Sequence, residues 1–158
     1  MFFIGFDCSS RTIHIVVLDE QSNIVVMKKF SSNTKDVDIR CCDLSAQLRN
    51  YIIEQADIFL NSKCTIENPI VVQNVKASFL IANVINAVKI RLYDAGIDFW
   101  GLDNKVWKRG CLGNGGASKD EILRFAEIKW GKGIFSEQDF ADSALIGFYG
   151  WLRFNNKG

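Results

Sequence analysis

The sequence predicts a single α/β domain built on a central, mixed five-stranded sheet flanked by helices, with element order βββαβαβαα. Three observations predict it. Three short apolar stretches near the start are separated by only a few polar residues, the spacing of an antiparallel meander. Farther on, segments whose apolar residues recur at helical spacing alternate with short apolar runs of strand length. No internal repeat, low-complexity tract or linker interrupts the chain, so residues 1–158 are expected to share one core.

The three strands are Phe2 to Phe6, Thr12 to Leu18 and Ile24 to Phe30, joined by Cys8-Ser9-Ser10-Arg11 and by Asp19 to Asn23. From about Asp36 to Leu60, the residues Leu44, Leu48, Tyr51, Ile52, Ile58 and Phe59 fall at a roughly helical period on a polar background, an amphipathic helix. Cys64 to Glu67 is a short fourth strand, and Pro69, which has no backbone donor, enforces a break after it. From about Val75 to Tyr93 the chain is apolar almost all round, with Lys76, Asn83 and Asn86 in a narrow polar stripe. This reads as a helix buried on more than one side. Ile97 to Leu102 is the fifth strand. Lys119 to Trp130 is a short amphipathic helix, and Asp139 to Phe154 is a terminal one opened by Ser136 as N-cap.

At 158 residues, 48% of them hydrophobic, the chain has apolar material for one core and too little length for two ordinary domains. Its five cysteines, two adjacent as Cys41-Cys42, form no CxxC pair, and with His14 the sole histidine no zinc constellation results. Free thiols in a reducing cytoplasm are expected. The N-terminus lacks the basic and long apolar regions of a signal peptide, and no run approaches the roughly 18 apolar residues of a membrane span. Net charge is only +1, but the segment Lys105 to Lys119 carries Lys105, Lys108, Arg109 and Lys119 with no acid, between Asp103 and Asp120. Such a patch beside an acidic metal site suits a polyanion.

Asp7 ends the first apolar run and Glu67 ends the fourth strand, while Asp139 and Asp142 lie three apart on the last helix. Acids at strand ends and on one helix face can converge, and four of them stay ionised together only by binding cations. That chemistry is metal-dependent phosphoryl transfer. Purely structural roles compete: Asp7 and Glu67 as turn residues, Asp139 as the capping-box partner of Ser136. Asp142 is the hardest to explain so, because a lone acid in a helix of Phe140, Ala141, Ala144, Leu145 and Ile146 is costly without a cationic partner. Lys119 opens a helix after a glycine-rich segment, where the dipole disfavours a cation unless a phosphate binds there. His14, between Ile13 and Ile15, is read as a satisfied structural histidine. The tryptophans at 100, 107, 130 and 151 are read as mostly core, with Trp107, flanked by Lys105 and Lys108, the one allowed as a nucleic-acid contact.

In this order and spacing the motifs resemble the RNase H-like nucleases, and within them the RuvC-type Holliday-junction resolvases. The stretches that carry the resemblance are Ile4-Gly5-Phe6-Asp7 with Ser10-Arg11, Thr65-Ile66-Glu67, and Asp139-Phe140-Ala141-Asp142-Ser143-Ala144-Leu145, similar to the family's Asp-x-Ala-Asp-Ala-Leu helix. Val106-Trp107-Lys108 with Gly113 to Lys119 is similar to its lysine, glycine-rich loop and second lysine. The resemblance implies an RNase H-like fold and a crossover-junction endonuclease that nicks four-way or other branched DNA symmetrically as a homodimer. It implies Asp7, Glu67, Asp139 and Asp142 as ligands of two Mg²⁺ ions, with Mn²⁺ able to substitute, and Lys119 and Lys108 at the phosphate backbone. Lys105, Arg109, Arg11, Ile70 and Lys76 complete the expected DNA contacts.

Two departures stand out. The turn Cys8-Ser9-Ser10-Arg11 replaces the cellular Pro-Gly-Ser-Arg and looks more like divergent bacteriophage versions. Ile70 stands where the family places an aromatic that stacks into the opened junction; isoleucine can wedge but not stack. Gly5-Phe6-Asp7-Cys8-Ser9-Ser10 and the hairpin after it also resemble the first phosphate-binding hairpin of actin-like and sugar-kinase-like ATPases. That cleft requires a second domain and a second phosphate turn, and neither is present in the sequence. A non-catalytic module binding branched DNA is the other alternative.

Overall fold

The computed structural model of the protein describes residues 1–70 and 73–156. Strands β1 (Phe2–Cys8), β2 (Thr12–Leu18) and β3 (Ile24–Ser31) form the expected antiparallel meander. Strands β4 (Ser62–Glu67) and β5 (Phe99–Leu102) add to the other side of β1 in parallel, giving the sheet order β3-β2-β1-β4-β5. The sheet is thus mixed, as expected. Interior strand β2 is buried from Ile13 to Leu18, apolar but for His14, because helices cover both faces, whereas edge strand β3 exposes Lys28 and Lys29.

Strand alternation sends Ile4, Phe6, Ile13, Ile15, Cys64 and Ile66 to one face, where they pack under helices α1 (Val37–Glu54) and α3 (Val75–Asp94). Helix α1 is started by Asp36, whose carboxylate accepts from the Asp38 and Ile39 amides, and it buries Leu44, Leu48 and Ile52 at four-residue spacing. The single helix expected to about Leu60 is broken at Gln55, and Ala56–Phe59 forms a separate turn, α2. Phe59 is buried edge-on against Tyr51, with ring centroids 5.9 Å apart. Helix α3 buries Val84, Ile85, Val88 and Leu92 but leaves Val75, Phe79, Ile90 and Tyr93 in solvent, so one side of it is covered rather than several.

The opposite sheet face carries α4 (Asn104–Leu112), α5 (Lys119–Trp130) and α6 (Gln138–Asn155), joined to it through Phe3, Val16 and Leu18 and through Trp107, Ile122 and Leu145. Helix α4 is not among the elements that the sequence pattern predicts. It ends at Gly113, whose φ of 76° is the left-handed conformation that glycine adopts most cheaply. Helix α5 begins with a complete Ser118–Glu121 capping box. The expected Ser136 cap on α6 is replaced by Glu137, which makes no side-chain cap bond. Trp130 and Trp151 donate their indole N–H groups to the Ser22 and Glu20 carbonyls, tying the β2–β3 turn to this helical layer. Among the described residues, no helix is long and apolar enough to cross a membrane, and all five cysteines are free thiols.

Candidate active site

Because β1 and β4 run parallel, with Phe6 opposite Ile66, the Asp7 and Glu67 carboxylates emerge at the same end of the sheet. Both belong to the alternation that faces α6, as does His14, which lies directly across the ladder from Asp7. Helix α6 comes close to β1 because neither Gly5 nor Gly147 has a side chain: a Cβ at Gly5 would stand 1.9 Å from the Ser143 carbonyl oxygen and 2.5 Å from the Gly147 nitrogen. Ser143 Oγ donates to the Gly5 carbonyl at 2.7 Å and lies 3.2 Å from that of His14, replacing an alanine of the motif with a bond that seats the helix. One turn earlier, Asp139 and Asp142 project from one helix face over Asp7. One carboxylate oxygen from each of Asp7, Asp139 and Asp142 lies within 4.8 Å of the other two.

The cost of this convergence is visible in the ionisation of the acids. Burial pushes the Asp7 carboxyl well up, Asp142, Asp139 and Glu67 push it further, and Lys119 opposes them. Asp142 is raised chiefly by burial, against a hydrogen bond from Gln138 Nε2 at 3.1 Å and the charges of Lys119 and Lys108. Burial also raises Glu67, against Trp107 Nε1, which donates to Oε2, and Asn104 Nδ2, which reaches both oxygens. Among the described residues none of Asp7, Glu67 and Asp142 forms an ion pair. Half-buried carboxylates that repel one another, with lysines near but none in ion-pair contact, are a donor set that fits hard divalent ions.

Lys119 and Lys108 line the same cleft as the four acids. Lys105 lines a neighbouring groove of about 380 Å³ with Ile70, which is half exposed. Arg11, Lys76 and Arg109 are exposed and lie outside the acidic cleft. Trp107 corrects the expectation of a nucleic-acid contact: it is 1% exposed, in the core under α4, and its one polar atom is spent on Glu67. The carboxylate-orienting roles of Asn104, Trp107 and Gln138 are not among the sequence expectations. The signal that could have found the first two was Val106 and Trp107 followed at helical spacing by Cys111 and Leu112 and stopped by Gly113. His14 is buried as expected, edge-on to Phe140 with centroids 4.8 Å apart, and its Nε2 lies 3.0 Å from Glu137 Oε2. Glu137 is held in turn by Lys29 at 2.9 Å.

No protein-family model matches the chain, and no curated protein matches it in sequence. Solved structures do. The chain is similar to Thermus thermophilus RuvC, with a TM-score of 0.81 at 13% identity over 99% of this chain and 97% of that one. It is equally similar to T. thermophilus RuvC in complex with a Holliday junction substrate, with a TM-score of 0.82, 14% identity and 96% of that chain covered. The yeast mitochondrial Holliday junction resolvase Ydc2 matches with a TM-score of 0.64 at 18% identity, over 98% of this chain and 78% of that one. The chain has the RuvC-type, RNase H-like fold.

Proposed function

We propose that the chain is a divalent-metal-dependent DNA endonuclease that acts on four-way junctions, making paired nicks as a homodimer. The observation that carries this reading is the meeting of Asp7, Glu67, Asp139 and Asp142 in one cleft of about 250 Å³, with Lys108 and Lys119 as its lining cations. The fold shared with a resolvase solved on a Holliday junction supports the choice of substrate. Held by the four carboxylates, two Mg²⁺ ions, or Mn²⁺ in their place, would supply Lewis-acid stabilisation of the phosphoryl oxygens and a more acidic water. Asn104 and Trp107 fix the Glu67 carboxylate, and Gln138 fixes that of Asp142. Ile70 and Lys105 meet the strand beside the cut, while Arg11, Lys76 and Arg109 contact backbone farther out. Five free thiols suit the reducing interior of a bacterial cell, for a cellular or phage-borne enzyme.

Lys119 belongs, on this reading, at the scissile phosphate. Lys119→Ala is expected to lower the single-turnover cleavage rate about 100-fold, the scale for removing one preorganised donor, with a smaller loss of junction affinity. Equal loss in both would make it a ground-state contact only.

The exposed stripe on α3, with Phe79 at 68% and Tyr93 at 77% exposure, is the surface that a two-fold partner would cover. Ile85, on the same helix, is buried in the protein's own core and is not part of that stripe. Phe79→Asp is expected to weaken self-association about 30-fold or more, the loss of one hot spot. Sedimentation equilibrium reads the effect, and an unchanged dimer would place the interface elsewhere.

The deciding experiment incubates end-labelled four-way, three-way, Y-shaped and linear duplexes with the protein and Mg²⁺. Paired nicks at symmetry-related positions of the four-way junction are expected. Cleavage of every branched form would widen the substrate class, and cleavage of none would reject the enzyme.

A further inference from the structure

We propose that His14 is a nitrogen ligand of the cation site, binding a divalent ion through Nδ1 beside Asp139, with Glu137 as the carboxylate that orients the ring. The inference rests on the reading of the acidic cleft as a metal site. One potential ligand atom from each of His14, Glu137 and Asp139 lies within 4.8 Å of the others, and Asp139 also belongs to the cluster with Asp7 and Asp142. The ring is 1% exposed, yet it lines the cleft. Nε2 faces Glu137 Oε2 at 3.0 Å, so it carries the proton, and in the neutral imidazole the lone pair is then on Nδ1. Among the described residues Nδ1 makes no hydrogen bond; its charged neighbour is Asp139 Oδ2 at 3.8 Å, too far for one.

A lone pair standing beside a carboxylate at the cleft is unfavourable as it stands and is relieved by a cation between the two. Adjacent donors on one ion with bonds of about 2.1 Å stand about 3 Å apart, so the ring and the Asp139 carboxylate would close by about 1 Å around a bound ion. Metal-binding histidines characteristically give their other N–H to a carboxylate, the role Glu137 fills with Lys29 behind it. Strand pairing supplies the placement, since His14 is the residue opposite Asp7. An imidazole among carboxylates also shifts the site from Mg²⁺ toward Mn²⁺.

The test is direct because the chain contains one histidine. Mn²⁺ is titrated into the wild-type protein and its nitrogen couplings are read by pulsed electron paramagnetic resonance. An imidazole ¹⁴N modulation is expected, converting to the ¹⁵N pattern when histidine alone is isotopically labelled. His14→Gln should still bind Mn²⁺, about 10–100-fold more weakly, without the coupling, while Glu137→Gln should keep the coupling at reduced affinity. Bound Mn²⁺ with no histidine coupling in the wild type would overturn the His14 assignment and leave the carboxylate site standing. No Mn²⁺ binding at all would overturn both. The labelled wild-type spectrum decides the matter even if a variant fails to fold.

Discussion

Asp7→Asn is expected to abolish junction cleavage by several orders of magnitude while leaving junction binding intact or tighter. Asp7 is the acid on which the charges of Asp142, Asp139 and Glu67 all bear, so its loss removes a central ligand for a divalent ion. Removing an anion near a phosphate also lowers repulsion. Single-turnover cleavage and gel-shift affinity, measured on the same labelled junction, separate the two effects. Full activity in the variant would reject the cleft as the metal site.

The same substitution has a second expected result, opposite in sign. A carboxyl whose pKa is raised by folding binds its proton more tightly in the native state than in the unfolded chain. The metal-free protein therefore has its full stability with respect to Asp7 below pH 3.8, the ordinary value, and loses it as the pH rises through the raised one. Asp7→Asn removes that loss. Without divalent ions at neutral pH the variant should melt higher than the wild type, by about 2–4 °C for each kcal/mol of strain relieved. Saturating Mg²⁺ should reverse the order, because only the wild type gains the full binding energy.

What the sequence made legible follows how local each feature is. The meander and the fourth strand could be read because short apolar runs and polar turns are encoded residue by residue, and the strand ends then located Asp7 and Glu67. The basic helix α4 was hidden because Lys105, Lys108, Arg109 and Gly110 dilute its apolar side to little more than Trp107 and its C-terminal turn. With it were hidden the two donors on Glu67, a contact made across about forty residues of sequence. The break at Gln55 has no proline or glycine to announce it. Glu137 as the start of α6 depends on Lys29 and on His14, 123 residues away, a pairing that no local pattern reveals.

Gly5→Ala is expected to damage fold and site together. The added Cβ would lie 1.9 Å from the Ser143 carbonyl oxygen and 2.5 Å from the Gly147 nitrogen, both backbone atoms of α6, so no side-chain rotation can absorb it. Overpacking against backbone should cost about 3 kcal/mol or more, lowering the melting temperature by about 10 °C. Truncating Ser143 would not rescue it, since the clash is with main chain. Gly116→Ala is the control, because its Cβ would meet nothing closer than the Asn114 side chain at 3.5 Å. The helix pushed away is the one that brings Asp139 and Asp142 over Asp7, and a displacement of about 1 Å at a reacting centre costs about 100-fold. Cleavage should therefore fall by that order even at temperatures where thermal denaturation shows the variant folded. A variant that melts normally and cuts at the wild-type rate would mean that the close approach of α6 to β1 does not set the geometry of the acids.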